Sequence, residues 1–220
     1  MKGTDKMAKV DVYKTEEDGK QLVGLRVNDD SATLQDLLDA WQPLCDDTSV
    51  HKMYAPAESS ICKGCLINCC NTAYVVPDVI SFKKMAAWFD YDYEQLLHKF
   101  FDQEKREAGL LRLKPNPCVF LQNNICTIYP VRTLTCRFYL CADTVGDTQQ
   151  LIYSVTWAGI AAAQVFAEKQ GLVTHNPQIA RSSFDLLIDS LINEYRDSDK
   201  ITSFLNAREY ADVLIKPFIP

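Results

Sequence analysis

Glycine is scarce in this chain: 8 of 220 residues, against an average usage of roughly 7%. Sandwiches and barrels of β-strands need many glycine-rich turns, so an all-β fold is disfavoured. Positive charge is also short. Twenty-three Lys and Arg stand against 29 Asp and Glu, a net charge of −6. Nucleic-acid binding needs a basic surface to neutralise phosphates, and this composition does not supply one. Long apolar runs are missing. The longest, Trp157 to Ala163, falls far short of the about 20 residues a membrane-spanning helix takes. The polar start, Met1 to Lys6, holds no apolar segment of a secretory signal. Gly-rich phosphate loops, a Walker lysine and His-Glu-x2-His are all lacking. The three histidines, His51, His98 and His175, are scattered, and only His51, upstream of Cys62, is placed to substitute as a ligand. These absences lead to the expectation of a cytoplasmic protein with reduced thiols. Its partner would be a protein or small molecule, not nucleic acid or membrane.

What the chain does have is a globular composition, 47% hydrophobic and 24% charged. Its length buries roughly 70% of the unfolded surface and suits one domain, or one with an appendage. Val10 to Val12 and Leu22 to Leu25, around a Glu16-Glu17-Asp18-Gly19-Lys20 turn, read as a short hairpin. Thr33 with Asp36 reads as a capping box, and Leu34, Leu37, Leu38 and Trp41 make one apolar face. Pro43 is predicted to end that helix.

Pro77-Asp78 opens a helix with Phe82, Met85, Ala86 and Phe89 at the same spacing. Asp92 with Gln95 caps the next, lined by Tyr93, Leu96, Leu97 and Phe100, so the two read as a tight helical pair. After Pro115-Asn116-Pro117, two short strands are predicted, Val119 to Leu121 and Ile125 to Ile128. A helix from about Thr156 to Gln170 stops at Gly171. Another carries Phe184, Leu187, Ile188, Leu191, Ile192 and Tyr195, and a last short one lies between Ile201 and Leu214.

Nine cysteines dominate the chemistry. Eight fall in two groups: Cys62, Cys65, Cys69 and Cys70, then Cys118, Cys126, Cys136 and Cys141. Cys-x2-Cys lets two thiolates converge on one ion, and Gly64 permits the tight backbone. Cys136-x4-Cys141 also suits a half-site. Four thiolates make a tetrahedral zinc site or hold an iron–sulfur cluster; eight make two sites, or one with thiols to spare. Adjacent side chains point apart, so Cys69 and Cys70 suggest a multi-iron cluster, two neighbouring metals, or one ligand beside a bystander. A thioredoxin-like redox pair would need a βαβ pattern that is not there. Buried inert thiols are common, and that reading suits Cys45, which follows an apolar helix. Arg132 and Arg137 bracket Cys136 and could offset the negative charge of a thiolate-bound metal; the competing reading is surface arginine. Lys63 and the run Arg196 to Lys200 read as solvated.

Taken together, Cys62-x2-Cys65-x3-Cys69-Cys70, a Pro-led helical pair, Pro117-Cys118-Val119-Phe120-Leu121, Cys126-Thr127-Ile128-Tyr129-Pro130-Val131-Arg132 and Cys136-Arg137-Phe138 resemble the cysteine-cluster family. That family is described as a zinc- or iron-chelating domain and named for its CxxCxxCC signature. The resemblance runs from Cys62 to Cys141. This chain has three residues before Cys69 where the signature has two, and Thr133 where the family often has proline. Flagellin lysine methylases resemble the family in the cysteine region alone. The resemblance implies a cofactor class more than a reaction.

The expected fold is mainly α: a helical domain with a small β-hairpin around a cysteine-rich metal centre. Residues 1–60 read as an N-terminal extension with one helix, 61–145 as the metal-binding core, and 146–220 as a helical segment packed on it. The first functional reading is a metal protein ligated by Cys62, Cys65, Cys69, Cys70, Cys118, Cys126, Cys136 and Cys141, with Arg132 and Arg137 beside the cofactor. A four-iron, four-sulfur cluster is placed ahead of zinc. The alternatives are a structural zinc-binding interaction module and a metal-dependent redox or methyl-transfer enzyme. A three-residue loop, Gln122 to Asn124, is expected to pair Phe120 with Cys126 and put Cys118 and Cys126 on one face.

Overall fold

Asp18 and Gly19 both adopt positive φ (50° and 75°), the backbone a two-residue hairpin turn needs. They join β1 (Val10–Glu17) to β2 (Lys20–Val27), paired from Val10↔Val27 to Glu17↔Lys20. Gly24 lies beneath the Tyr13 ring, where an added Cβ would come within 2.1 Å of ring carbon. The hairpin is fastened to the chain near residue 145: Val23 N–H donates to Asp143 O at 3.0 Å, and Leu25 N–H to the Thr148 hydroxyl at 2.8 Å. The computed structural model describes residues 8–48, 69–71 and 74–220. It is mainly helical, with two small antiparallel hairpins among the described residues.

Helix α1 (Leu34–Asp46) starts on the expected capping box, with Thr33 and Asp36 each satisfying the other's backbone N–H. It does not stop at Pro43 as predicted; the proline lies inside it. A proline there removes one hydrogen bond, but the apolar face runs on to Leu44 and Cys45, both buried, and packing keeps the last turn helical. The C-terminal tail clips onto the start of α1. Leu34 N–H donates to Val213 O at 2.8 Å and Ile215 N–H to Ala32 O at 3.0 Å.

The predicted helical pair is α2 (Val79–Phe89) and α3 (Tyr93–Phe100), joined through Asp90 in the left-handed region at φ 53°. Asp92 and Gln95 form the expected capping box. A short helix, α4 (Gln103–Glu107), follows on an Asp102 cap. Strands β3 (Leu121–Gln122) and β4 (Ile125–Cys126) are two residues each, shorter than predicted, because residues 115–120 form consecutive turns. Helix α5 (Leu134–Phe138) leads to the 24-residue α6 (Gly146–Lys169).

Helix α6 begins ten residues before the predicted Thr156. Leu151 and Val155 already continue the spacing of Ala158 and Ala162, and all four are buried. Its buried face is rich in alanine, so α2 and α8 (Asp199–Asn206) approach it closely. By length and composition α6 is apolar enough to cross a bilayer, and 56% of its most apolar stretch is buried within the protein. It ends as expected before Gly171, at φ 69°.

Helix α7 (Ser183–Tyr195) is capped by a Ser182–Asp185 box, but of its residues only Asp185 and Ile192 are buried. Phe184, Leu187 and Tyr195, expected on the apolar face, are about half exposed. The helix is tied down by charge. Asp185 accepts from Lys105 Nζ at 2.6 Å and from the Tyr74 hydroxyl at 3.5 Å. Burial pushes the Asp185 carboxyl up, but the Lys105 and Ser182 hydrogen bonds outweigh it and hold the group below the usual carboxylate range. Burial and the neighbouring carboxylate push Tyr74 up to about 12.

A carboxyl held low in the folded state lends stability above its unfolded pKa and loses it as pH falls through its folded value. Lys105→Met should therefore cost roughly 1.5–3 kcal/mol at neutral pH. The gap to the parent should narrow in acid, where a protonated Asp185 no longer needs a cation. Urea unfolding at both pH values checks this; a gap independent of pH would contradict it.

Candidate metal centre

Five separate pieces of chain carry the described cysteines of the two groups. Cys69 and Cys70 sit in a 3₁₀ turn (Cys69–Asn71), Cys118 in the turns at 115–120, Cys126 at the end of β4, and Cys136 in α5. Cys141 lies in the loop after α5 and is exposed. Cys62, Cys65 and His51 fall outside the described residues.

The first bond that gathers these pieces is backbone: Cys118 N–H donates to Cys70 O at 2.7 Å. The thiols then act on one another. Burial pushes Cys118 up, and the Cys70 sulfur adds to it. Burial pushes Cys126 up to about 11, with Cys70 and Cys118 adding. Burial pushes Cys136 up furthest, with Cys70, Cys118 and Cys126 all adding. The Cys70, Cys118 and Cys126 sulfurs therefore all lie within electrostatic reach of the Cys136 thiol. Of the adjacent pair, Cys70 is the thiol the other three sense. Among the described residues, no three His, Cys, Asp or Glu side chains close into a ready ion cage.

An all-sulfur donor set suits zinc or iron–sulfur chemistry and not a hard cation such as calcium. Raised thiol pKa values fit the same chemistry, because buried thiolates need a cation to offset their charge. Among the described residues, the Arg132 guanidinium opposes the rise at Cys126 and Cys136. Its side chain is 5% exposed, stacked 3.5 Å from the Tyr129 ring centroid, and bonded to Tyr129 O at 3.3 Å and Gln42 Oε1 at 3.4 Å. Arg137 is bonded differently. Its Nε donates to Arg132 O at 2.9 Å and a terminal nitrogen to Pro130 O, which fastens α5 to the preceding loop. Cys45 is fully buried on α1, its thiol 3.6 Å from Arg137 O.

The hairpin register departs from expectation. Leu121 pairs with Cys126 and Gln122 with Ile125, so the turn is the two residues Asn123 and Asn124. Both have positive φ (50° and 59°), which asparagine tolerates, and that closes a two-residue turn without recruiting Gln122. Strand alternation does not then separate the sulfurs. Cys118 is held in a turn against Cys70, outside the ladder, and is coupled to Cys126.

One buried carboxylate positions α5, and sequence reading saw it only as the opening of α2. Asp78 is fully buried. It accepts from Ser81 N–H at 2.9 Å, capping α2, and from Leu134 N–H and the Thr133 hydroxyl, each at 3.0 Å. Thr133 stands at the N-cap of α5 but makes no cap bond of its own, so Asp78 supplies it. The Tyr210 hydroxyl donates to the same carboxylate at 3.2 Å, and burial with that carboxylate raises the Tyr210 pKa well above its ordinary value. A proline at position 133 could not make the hydroxyl bond. Gly159 of α6 presses on the same spot: an added Cβ would meet Asp78 Cβ at 2.8 Å.

Asp78→Asn keeps the shape but loses one acceptor oxygen, leaving a buried donor unsatisfied. It should cost about 1–3 kcal/mol in urea unfolding. Amide hydrogen exchange should rise in Leu134 to Phe138 more than in β1 and β2. Equal exchange in both regions would show that α5 does not depend on this carboxylate.

No curated protein and no solved structure matches the chain. Residues 61–156 match the model of the CxxCxxCC family, whose description reads "putative zinc- or iron-chelating domain". The match takes in all eight clustered cysteines, with Asp78, Arg132 and the first turns of α6. This segment, from Ile61 to Thr156, is thus similar to the CxxCxxCC domain.

Proposed function

We propose that the chain is an iron–sulfur protein whose cluster is held by thiolates of the two cysteine groups. Among the described residues, Cys70, Cys118, Cys126 and Cys136 are the proposed ligands. Cys62, Cys65, Cys69 and Cys141 complete the candidate set. The observation that carries this reading is that the sulfurs of Cys70, Cys118 and Cys126, from three separate chain segments, all act on the Cys136 thiol. A four-iron cluster on four thiolates supplies a one-electron centre. The chain's own part would be to hold the sulfurs together and set Arg132 beside the negative charge. Asp78 and Arg137 act on the backbone that carries Cys136 and are positioning residues.

Two cavities bordering α5 carry no Asp, Glu, Lys, Arg or His, so the groups most used in acid–base catalysis do not line them.

Protein purified without oxygen should contain iron and acid-labile sulfide in near-equal amounts and show a broad visible absorbance band. Cys136→Ser and Cys126→Ser should lose iron, while Cys45→Ala should keep it. Zinc without sulfide or colour would overturn the cluster and leave a thiolate zinc site. A metal-free protein that stays folded and cannot be loaded would overturn both.

A further inference from the structure

The last turn of α1 breaks a local electrostatic rule. Helix C-termini favour basic side chains, yet this helix ends on Asp46 and has no basic residue in its last turn. Two side chains engage the carboxylate instead. Asp46 accepts from the Tyr129 hydroxyl on one oxygen and from Gln42 Nε2 on the other. Both partners hold the same guanidinium. Arg132 lies over the Tyr129 ring, and its two terminal nitrogens donate to Tyr129 O and to Gln42 Oε1. Because Gln42 gives its amide nitrogen to Asp46, its oxygen is left to face Arg132. Arg132 itself lacks the usual counter-ion. It is 5% exposed, and among the described residues no carboxylate forms an ion pair with it. A buried cation without a paired anion is costly, so it calls for an anionic neighbour. The Cys126 and Cys136 thiols lie within its electrostatic reach, and it favours their charged forms.

We propose that Asp46 is a positioning residue of the metal centre: it fixes the Tyr129 ring and the Gln42 amide, and through them locks the Arg132 guanidinium against the sulfur group. This role rests on the reading that those sulfurs hold a metal. It is the same for iron or zinc, since four thiolates leave the centre negative with either. The end of the first helix thereby contributes to metal retention without touching the metal. The sign of the effect separates this role from a direct field. Acting through space alone, a carboxylate beside an anionic centre would repel it, and its removal would tighten the metal. Acting through Arg132, its removal loosens the metal.

The test is chelator competition on protein purified without oxygen, with the retained metal measured at rising EDTA. Arg132→Gln should release its metal at roughly 10–100-fold lower chelator than the parent. Asp46→Ala, at an exposed position, should fold as the parent does and release metal at several-fold lower chelator. Asp46→Asn, which has the same charge as Asp46→Ala but still accepts one of the two bonds, should fall between it and the parent. In the Arg132→Gln background Asp46→Ala should add nothing, because the group it acts through is gone. Arg132→Lys serves as that background if Arg132→Gln purifies without metal, since an ammonium cannot make the forked bonds. Metal retention in Asp46→Ala that equals or exceeds the parent's overturns the proposal. So does an undiminished effect of Asp46→Ala in the Arg132 variant, the result expected if the carboxylate only shapes the end of α1. A parent that holds no metal overturns the metal reading of the sulfurs, and this role with it.

Discussion

A carboxylate buried without a cation survives only if hydrogen bonds replace its lost water. Asp78 meets that demand with donors from three distant parts of the chain: its own helix, the Thr133-Leu134 start of α5, and Tyr210 near the C-terminus. The position of Cys136 follows from this knot, because α5 is five residues long and too short to hold itself as a helix. Gly159 allows α6 to lie against the same group, so the central helix, the C-terminal tail and the cysteine helix share one anchor. Loss of any one donor strands the carboxylate, which makes the region cooperative.

The group of sulfurs is the second constraint. Burial and mutual repulsion both disfavour thiolates at Cys118, Cys126 and Cys136, and Arg132 offsets only part of this. A metal bound there, as proposed, would supply the missing charge, and ligation and local stability would then be one free energy. The guanidinium is itself held by the Tyr129 face, and the Tyr129 hydroxyl reaches Asp46 at the end of α1. The first helix is thereby tied to the electrostatics of the centre.

Much of the fold was legible because its signals are local. The Thr33–Asp36 and Asp92–Gln95 boxes, the Asp18-Gly19 turn and the Gly171 stop all appear where sequence places them. The failures came where tertiary contact overrules a local rule. Pro43 lies within α1 because Leu44 and Cys45 are buried beyond it. Helix α7 has an apolar stripe, yet it turns Asp185 inward to meet Lys105 and leaves Phe184 and Leu187 half exposed. At the site, cysteine spacing marked the ligand candidates but not their convergence. Cys118 joins Cys70 through a backbone bond across 48 positions of sequence, and the donors to Asp78 lie 55 and 132 residues away. No periodicity encodes such pairings.

The central claim is that sulfur alone holds the metal. X-ray absorption at the edge of the metal found in the purified protein reports its nearest neighbours directly. The account predicts a first shell of sulfur only, at about 2.3 Å, with no light scatterer. Nitrogen or oxygen in that shell would contradict it, since the ligands proposed around Cys136 are all thiols.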